Sequence, residues 1–192
     1  MSATSAPFGF RPAFHPSGLD RATRYPVNPG YGTAMYKNQP CILNTAGYVT
    51  VGTSGADLLG VIAGFEYIDT TGKPNVSSYW PASQTVLSGT TPVAYVYDDP
   101  NIVYEVQSDG SIAQTALGDQ ADVSNVGNAT STPSGNNTST CTLSATLAGA
   151  GSQGQFRIVG VGLAQDNAWG DAYTVVQVKI ARHQYVANKV AI

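Results

Sequence analysis

The chain contains two histidines, His15 and His183, and hydrolytic or metal chemistry would have to start from them or from the carboxylates. Serine and aspartate are common enough to complete a Ser-His-Asp set on paper, but no Gly-x-Ser-x-Gly elbow presents a nucleophile. His15 stands beside Pro16 and His183 follows the last strand pattern. Both read as hydrogen-bonding histidines at an interface or a strand end. Asp98 and Asp99, with Glu105 nearby, form the densest carboxylate group. Adjacent residues of a strand point to opposite faces, which makes these two aspartates a poor catalytic dyad. Ahead of Pro100 they suit an Asx-type turn. As cation ligands they would need further oxygens, and the calcium-loop spacing is absent.

Asp166-Asn-Ala-Trp-Gly-Asp171 sets Trp169 among acceptors. A ring face beside carboxylates suits a pyranose, whereas a packed corner needs only turn-forming Asp, Asn and Gly170. Gly60, Gly64, Gly160 and Gly162 build no phosphate-binding loop. Cys41 and Cys141 are the two cysteines, too few for a disulfide scaffold and without metal-ligand spacing, so free structural thiols are expected. The reading is a protein that is not an enzyme, with no catalytic, cofactor-binding or metal site.

The elements that carry these residues read as short strands separated by turns. Gln39–Leu43 and Tyr48–Val51 flank a turn ending in Gly47, which predicts a hairpin. Leu58–Tyr67 is an apolar run punctuated by glycine. Val93–Tyr97 and Ile102–Val106 are the strongest strand patterns, joined by Asp98-Asp-Pro-Asn101, and Phe156–Leu163 and Tyr173–Ile180 are the last. In the final one Thr174, Val176, Val178 and Ile180 share a face that should turn inward. No stretch shows a convincing 3.6-residue period, and Ser111–Leu117 is the best site for a helical turn. Many short strands predict an all-β body, a β-sandwich or barrel of jelly-roll-like form. The polar, low-complexity region near 118–140 is expected to form a hairpin tip or a projecting loop.

Six of the eleven prolines fall in the first forty residues, alternating with Phe8, Phe10, Phe14, Tyr25, Tyr31 and Tyr36 and with Arg11, Arg21, Arg24 and Lys37. Proline fixes φ and removes a donor, which argues against a helix or a central strand. Aromatics bring area that favours burial, unlike a disordered tail. Residues 1–38 are therefore predicted to form an extended arm that lies along a neighbour, with residues 39–192 as the β-rich body. Such an arm loses little entropy on docking. Aromatic anchors burying about 150–250 Å² each would exceed the roughly 1,000 Å² of a specific interface. Deleting residues 1–36 is expected to leave a folded body that no longer holds its partner.

Charged residues make up 11% of the chain, which suits a surface that spends its life in an assembly. The formal net charge is −3, so nucleic acid is not an expected partner. Residues 1–56 carry four cations against Asp20, and 172–192 carry Lys179, Arg182 and Lys189 with no acid. The basic ends and the acidic middle can attract each other, within or between subunits. No membrane partner is expected, since no apolar run is long enough to span a bilayer. The first residues show no basic segment followed by an apolar one, so no secretion signal is expected.

Pro7-Phe-Gly-Phe-Arg-Pro-Ala-Phe-His-Pro-Ser-Gly18, Leu59–Tyr67, Ser78–Pro81, Ala94–Pro100 with Tyr104–Gln107, Asn167–Ala172 and His183–Tyr185 together resemble a set of small tailed-phage virion proteins often encoded near the major capsid protein. The resemblance implies a capsid cement or decoration protein, made in the host cytoplasm and bound to the outer surface of an icosahedral virion. It implies a β-rich structural protein that clamps adjacent subunits of the major capsid protein and assembles as a homotrimer or dimer. Phe8, Phe10, Arg11, Phe14, Arg21, Arg24, Tyr25, Tyr31 and Tyr36 would then be the arm's contact residues. Trp80, Trp169, His183 and Tyr185 would be contact residues of the body. A different reading is a tail-fibre or adhesin module that binds host glycans through Trp80, Trp169 and the 118–140 loop.

Overall fold

Residues 2–126 and 137–186 are described by the structure, a computed structural model. The described chain is nearly all β. In order, the strands are β1 (Arg11–Phe14), β2 (Thr23–Pro26), β3 (Met35–Tyr36), β4 (Pro40–Leu43), β5 (Val49–Val51), β6 (Gly60–Ile68) and β7 (Pro74–Ser77). There follow β8 (Tyr79–Trp80), β9 (Val93–Tyr97), β10 (Val103–Gln107), β11 (Gln120–Ser124), β12 (Thr142–Leu147), β13 (Phe156–Val161) and β14 (Val175–Ile180). Among the described residues a single 3-10 turn, Gln114–Ala116, sits inside the segment expected to hold a helical turn.

The strands form one sheet in the order β1-β10-β14-β13-β11-β12, a second in the order β2-β9-β6-β4-β5 with β7 also on β6, and a ribbon of β3 and β8. The pairs within these sheets are antiparallel. From Val176 onward the alternation in β14 turns out as expected: Val176, Val178 and Ile180 enter a core, while Gln177 and Lys179 are only half-buried; Val175, on the same face as Gln177, is buried as well. Asn44-Thr-Ala-Gly47 closes the β4–β5 hairpin with Gly47 at φ 81°.

Two cores lie on opposite faces of the second sheet. Leu58 and Val61 enter the first core with Tyr104, Phe156, Ile158 and Val178 of the first sheet. Leu59, Ile62, Phe65, Ala94 and Val96 enter the second core with Met35 and Trp80 of the ribbon. A strand covered on both faces reads as a continuous apolar run rather than an alternating one, which is why Leu58–Tyr67 lacks a clean period of two. A register shift between Ile62 and Gly64 adds a residue to β6 and allows both Ile62 and Phe65 to face the second core.

The segment expected as a separate arm is built into these sheets. Residues 1–38 supply β1, β2 and β3, and Phe10, Val27 and Met35 are fully buried. Both proline-containing strands are outermost, β1 in the first sheet and β2 in the second, where a missing N–H interrupts no ladder. Removing residues 1–36 would strip a strand from each sheet and a ring from the core, so the predicted folded remainder does not follow. The 118–140 segment also differs from expectation. Gln120–Ser124 is an interior strand with Ala121 and Val123 buried, and Ser139 and Cys141 are buried beyond it. Residues 127–136 of the expected loop lie outside the described residues.

Candidate interaction surface

The N-terminal segment runs antiparallel to the chain between β9 and β10 and crosses from sheet to sheet beside it. Arg11 pairs in register with Glu105 and Pro12 with Tyr104, and Thr23 to Pro26 pair with Val96 to Val93. Where β9 passes to β10, the turn Asp98-Asp-Pro-Asn101 gathers side chains from both ends of the sequence. Asp98 accepts hydrogen bonds from Thr23 Oγ1 at 2.9 Å and Tyr25 Oη at 2.7 Å. Asp99 accepts the Asn101 N–H at 2.8 Å, the Asx turn expected ahead of a proline-containing loop. That bond and the nearby His15 hold the Asp99 carboxyl below its usual range. Burial and the Asp98 carboxylate push the Tyr25 phenol upward.

Both histidines reach this turn. His183 is buried, and its Nε2 donates to the Asp98 carbonyl at 2.9 Å while Nδ1 accepts the Tyr185 N–H at 3.1 Å. These bonds require the neutral ring, and burial lowers its pKa. His15 Nε2 lies 3.2 Å from Asp99 Oδ2, outside hydrogen-bond alignment. Its Nδ1 is 2.6 Å from Ser17 Oγ, so the fold assembles a Ser-His-Asp sequence of contacts. The Ser17 N–H also donates to Nδ1, at 3.1 Å. The ring acceptor a catalytic serine would use is thus shared with the backbone of a local turn. The geometry is that of a turn cap. Among the described residues no group of three or more His, Cys, Asp or Glu side chains is placed to hold a metal ion.

The contact residues named from sequence divide into spent and available side chains. Phe10 is fully buried and stacks on Phe156. Tyr25 and Tyr31 pack against the second core, and Tyr36 stacks on Tyr79 with ring centroids 5.9 Å apart. Arg11 bonds Glu105 at 2.6 Å and covers the half-buried Phe8 ring. Arg24 lies 3.6 Å from Glu66 and over the Tyr95 ring. The attraction between basic N-terminus and acidic body is therefore satisfied inside one chain, by pairs exposed enough to contribute little to stability. Phe14 is 48% exposed, and Arg21 is exposed. Sequence reading passed over Leu19, 70% exposed on the same crossover. Its signal was a lone apolar residue inside the turn-rich Ser17-Gly-Leu-Asp20.

On the body, Trp80 is fully buried and contacts Tyr67 and Phe65. Trp169 packs against the first core. Around it the Asn167 amide bonds Gly162 and Val175, and Asp171 accepts Ser2 Oγ and the Ala168 N–H. This cluster is a closed corner rather than an open ring platform. Tyr185 is 53% exposed. A recess of about 310 Å³ lies on the first sheet, lined by Phe8, Arg11, Gln107, Leu163, Asn167 and Val175. Its two amides are occupied, Gln107 by Thr4 and Ala6 and Asn167 as above. Comparison of the chain with protein-family models, curated proteins and solved structures gives no match.

Proposed function

We propose that this protein is a structural component of a tailed-phage virion, a cement or decoration protein that binds the outer capsid surface and clamps neighbouring capsid subunits. Its two main sheets are read as the faces of a jelly-roll-like sandwich, and the working form as a homo-oligomer, trimeric or dimeric. The observation that carries the reading is the β1–β2 crossover. It leaves Phe14 and Leu19 exposed beside Arg21, whereas the other aromatic residues of the segment are wholly or partly packed into the chain itself. A ring, an aliphatic side chain and a guanidinium on one exposed segment suit a partner surface with a shallow apolar site and a carboxylate. The sequence resemblance supplies the identity of that partner as the major capsid protein.

Clamping subunits should raise the temperature at which capsids rupture. The test is to heat empty expanded capsids with and without the purified protein and follow release of capsid subunits. The expected result is an upward shift that saturates with added protein. Capsids that bind the protein and rupture at an unchanged temperature would contradict a cementing role.

A further inference from the structure

We propose that residues 2–27 are an exchangeable element, docked in the assembled protein on the body of a neighbouring copy of the chain. The proposal goes beyond capsid binding and does not depend on it. Four observations point to it. First, β1 and β2 are each the outermost strand of their sheet, so the whole segment can leave without separating any other pair of strands. Second, apart from Asn38, whose carbonyl and amide bond Phe10 and Phe8, its partners are far away in sequence. Arg11 meets Glu105, Phe10 meets Phe156, Ser2 meets Asp171, and Tyr25 meets Asp98. Contacts of that range are met equally well by a second chain.

Third, two cations of the segment face carboxylates of its seat. Arg11 faces Glu105 and Arg24 faces Glu66, and the seat is thereby matched to a copy of the same segment. Fourth, a junction stands where a hinge would be needed. Val27 is buried on one side, and the Tyr31 carbonyl is held by the Ser83 N–H on the other. Between them Asn28, Pro29 and Gly30 are all exposed, and Gly30 has φ 76° with nothing near where a Cβ would stand, its N–H held by the Gln84 carbonyl at 3.1 Å. A body that has released its own segment exposes the bed of Phe10 and two sheet edges. Unpaired edges and apolar surface of that kind favour filling by another copy.

The test uses the register pairs. Arg11 and Glu105 are directly opposite across β1 and β10, so a full-length R11C chain co-expressed with a full-length E105C chain can form that disulfide only between copies. Arg24 and Tyr95 are opposite across β2 and β9 and give a second pair, R24C with Y95C, should the first disturb folding. Cys41 and Cys141 are buried and free, which keeps them out of mild oxidation. The expected result on a non-reducing gel is a covalent two-chain band that needs both partners and vanishes on reduction. Chains that stay single in the mixture, while the R11C/E105C double variant closes its disulfide within one chain, would overturn the proposal. That outcome would leave capsid binding, read by sedimentation, untouched.

Discussion

Phe10 and Phe156 lie ring on ring, with centroids 4.3 Å apart and planes 17° from parallel, both fully buried. One ring comes from the proline-rich N-terminus and the other from β13. The contact makes the N-terminus a structural part of the first core. Phe10→Ala should cost about 3–5 kcal/mol through lost burial and the cavity left behind. Phe14→Ala, four residues along and exposed, should stay within about 0.5 kcal/mol of wild type. Denaturant unfolding of the two variants measures the contrast.

Gly60 is needed because of its neighbour. A Cβ there would overlap the carbonyl oxygen of Tyr97 and crowd a Val96 methyl, at the junction of β4, β6 and β9. Backbone cannot yield as a flexible side chain would. Gly60→Ala is expected to destabilise by about 1–3 kcal/mol or more, at about 2–4 °C of Tm per kcal/mol for a chain of this size. Gly72→Ala is a useful comparison, since its turn is open but its φ of 87° is unfavourable to alanine. The Gly60 variant should lose more, as read by thermal melting.

Stability should fall on mild acidification because of His183. Its pKa in the folded state lies below the ordinary 6.5, so unfolding takes up a proton in the window below that value. The contribution of the neutral ring is fully present above about pH 6.5 and is lost as pH falls towards the folded value. Asp69, held at about 2 by bonds from Thr71, Lys73 and Asn75, acts only at lower pH. Melts at pH 7.5 and 5.5 should show the loss, and His183→Gln should flatten it. An unchanged slope in that variant would place the effect elsewhere.

The crossover can be altered without disturbing the fold. Phe14→Ser, Leu19→Ser and Arg21→Glu change exposed positions, so each should leave Tm close to wild type. Combined, they should weaken capsid binding at least tenfold, as measured by titrating capsids and quantifying the bound protein. Arg11→Ala would discriminate poorly, because the loss of its Glu105 pair would mix docking of the segment with partner contact.

Where one face is buried and the other is not, the period of two was readable from sequence: β14 and the β4–β5 hairpin lie where the pattern places them. Leu58–Tyr67 was readable as apolar, but its two-sided burial depends on which layers stack on it. The N-terminal segment misled because Pro12 and Pro26 argue against a helix and a central strand but leave an edge strand open, and edge position is a property of the whole sheet. β11 was hidden by its surroundings. Ala121 and Val123 alternate correctly, but two small apolar residues carry little signal inside a polar stretch. The convergence of His15 and His183 on Asp98 and Asp99 joins positions across most of the chain, and no local pattern announces it.

The most direct measurement of the proposed function is co-sedimentation of the purified protein with intact, empty, expanded capsids of the tailed phage proposed to carry it. Bound protein should saturate at a fixed ratio to the capsid subunit, and that ratio distinguishes trimers at threefold positions from other arrangements. No sedimentation with capsids of verified integrity, at concentrations well above those needed for specific binding, would contradict the account.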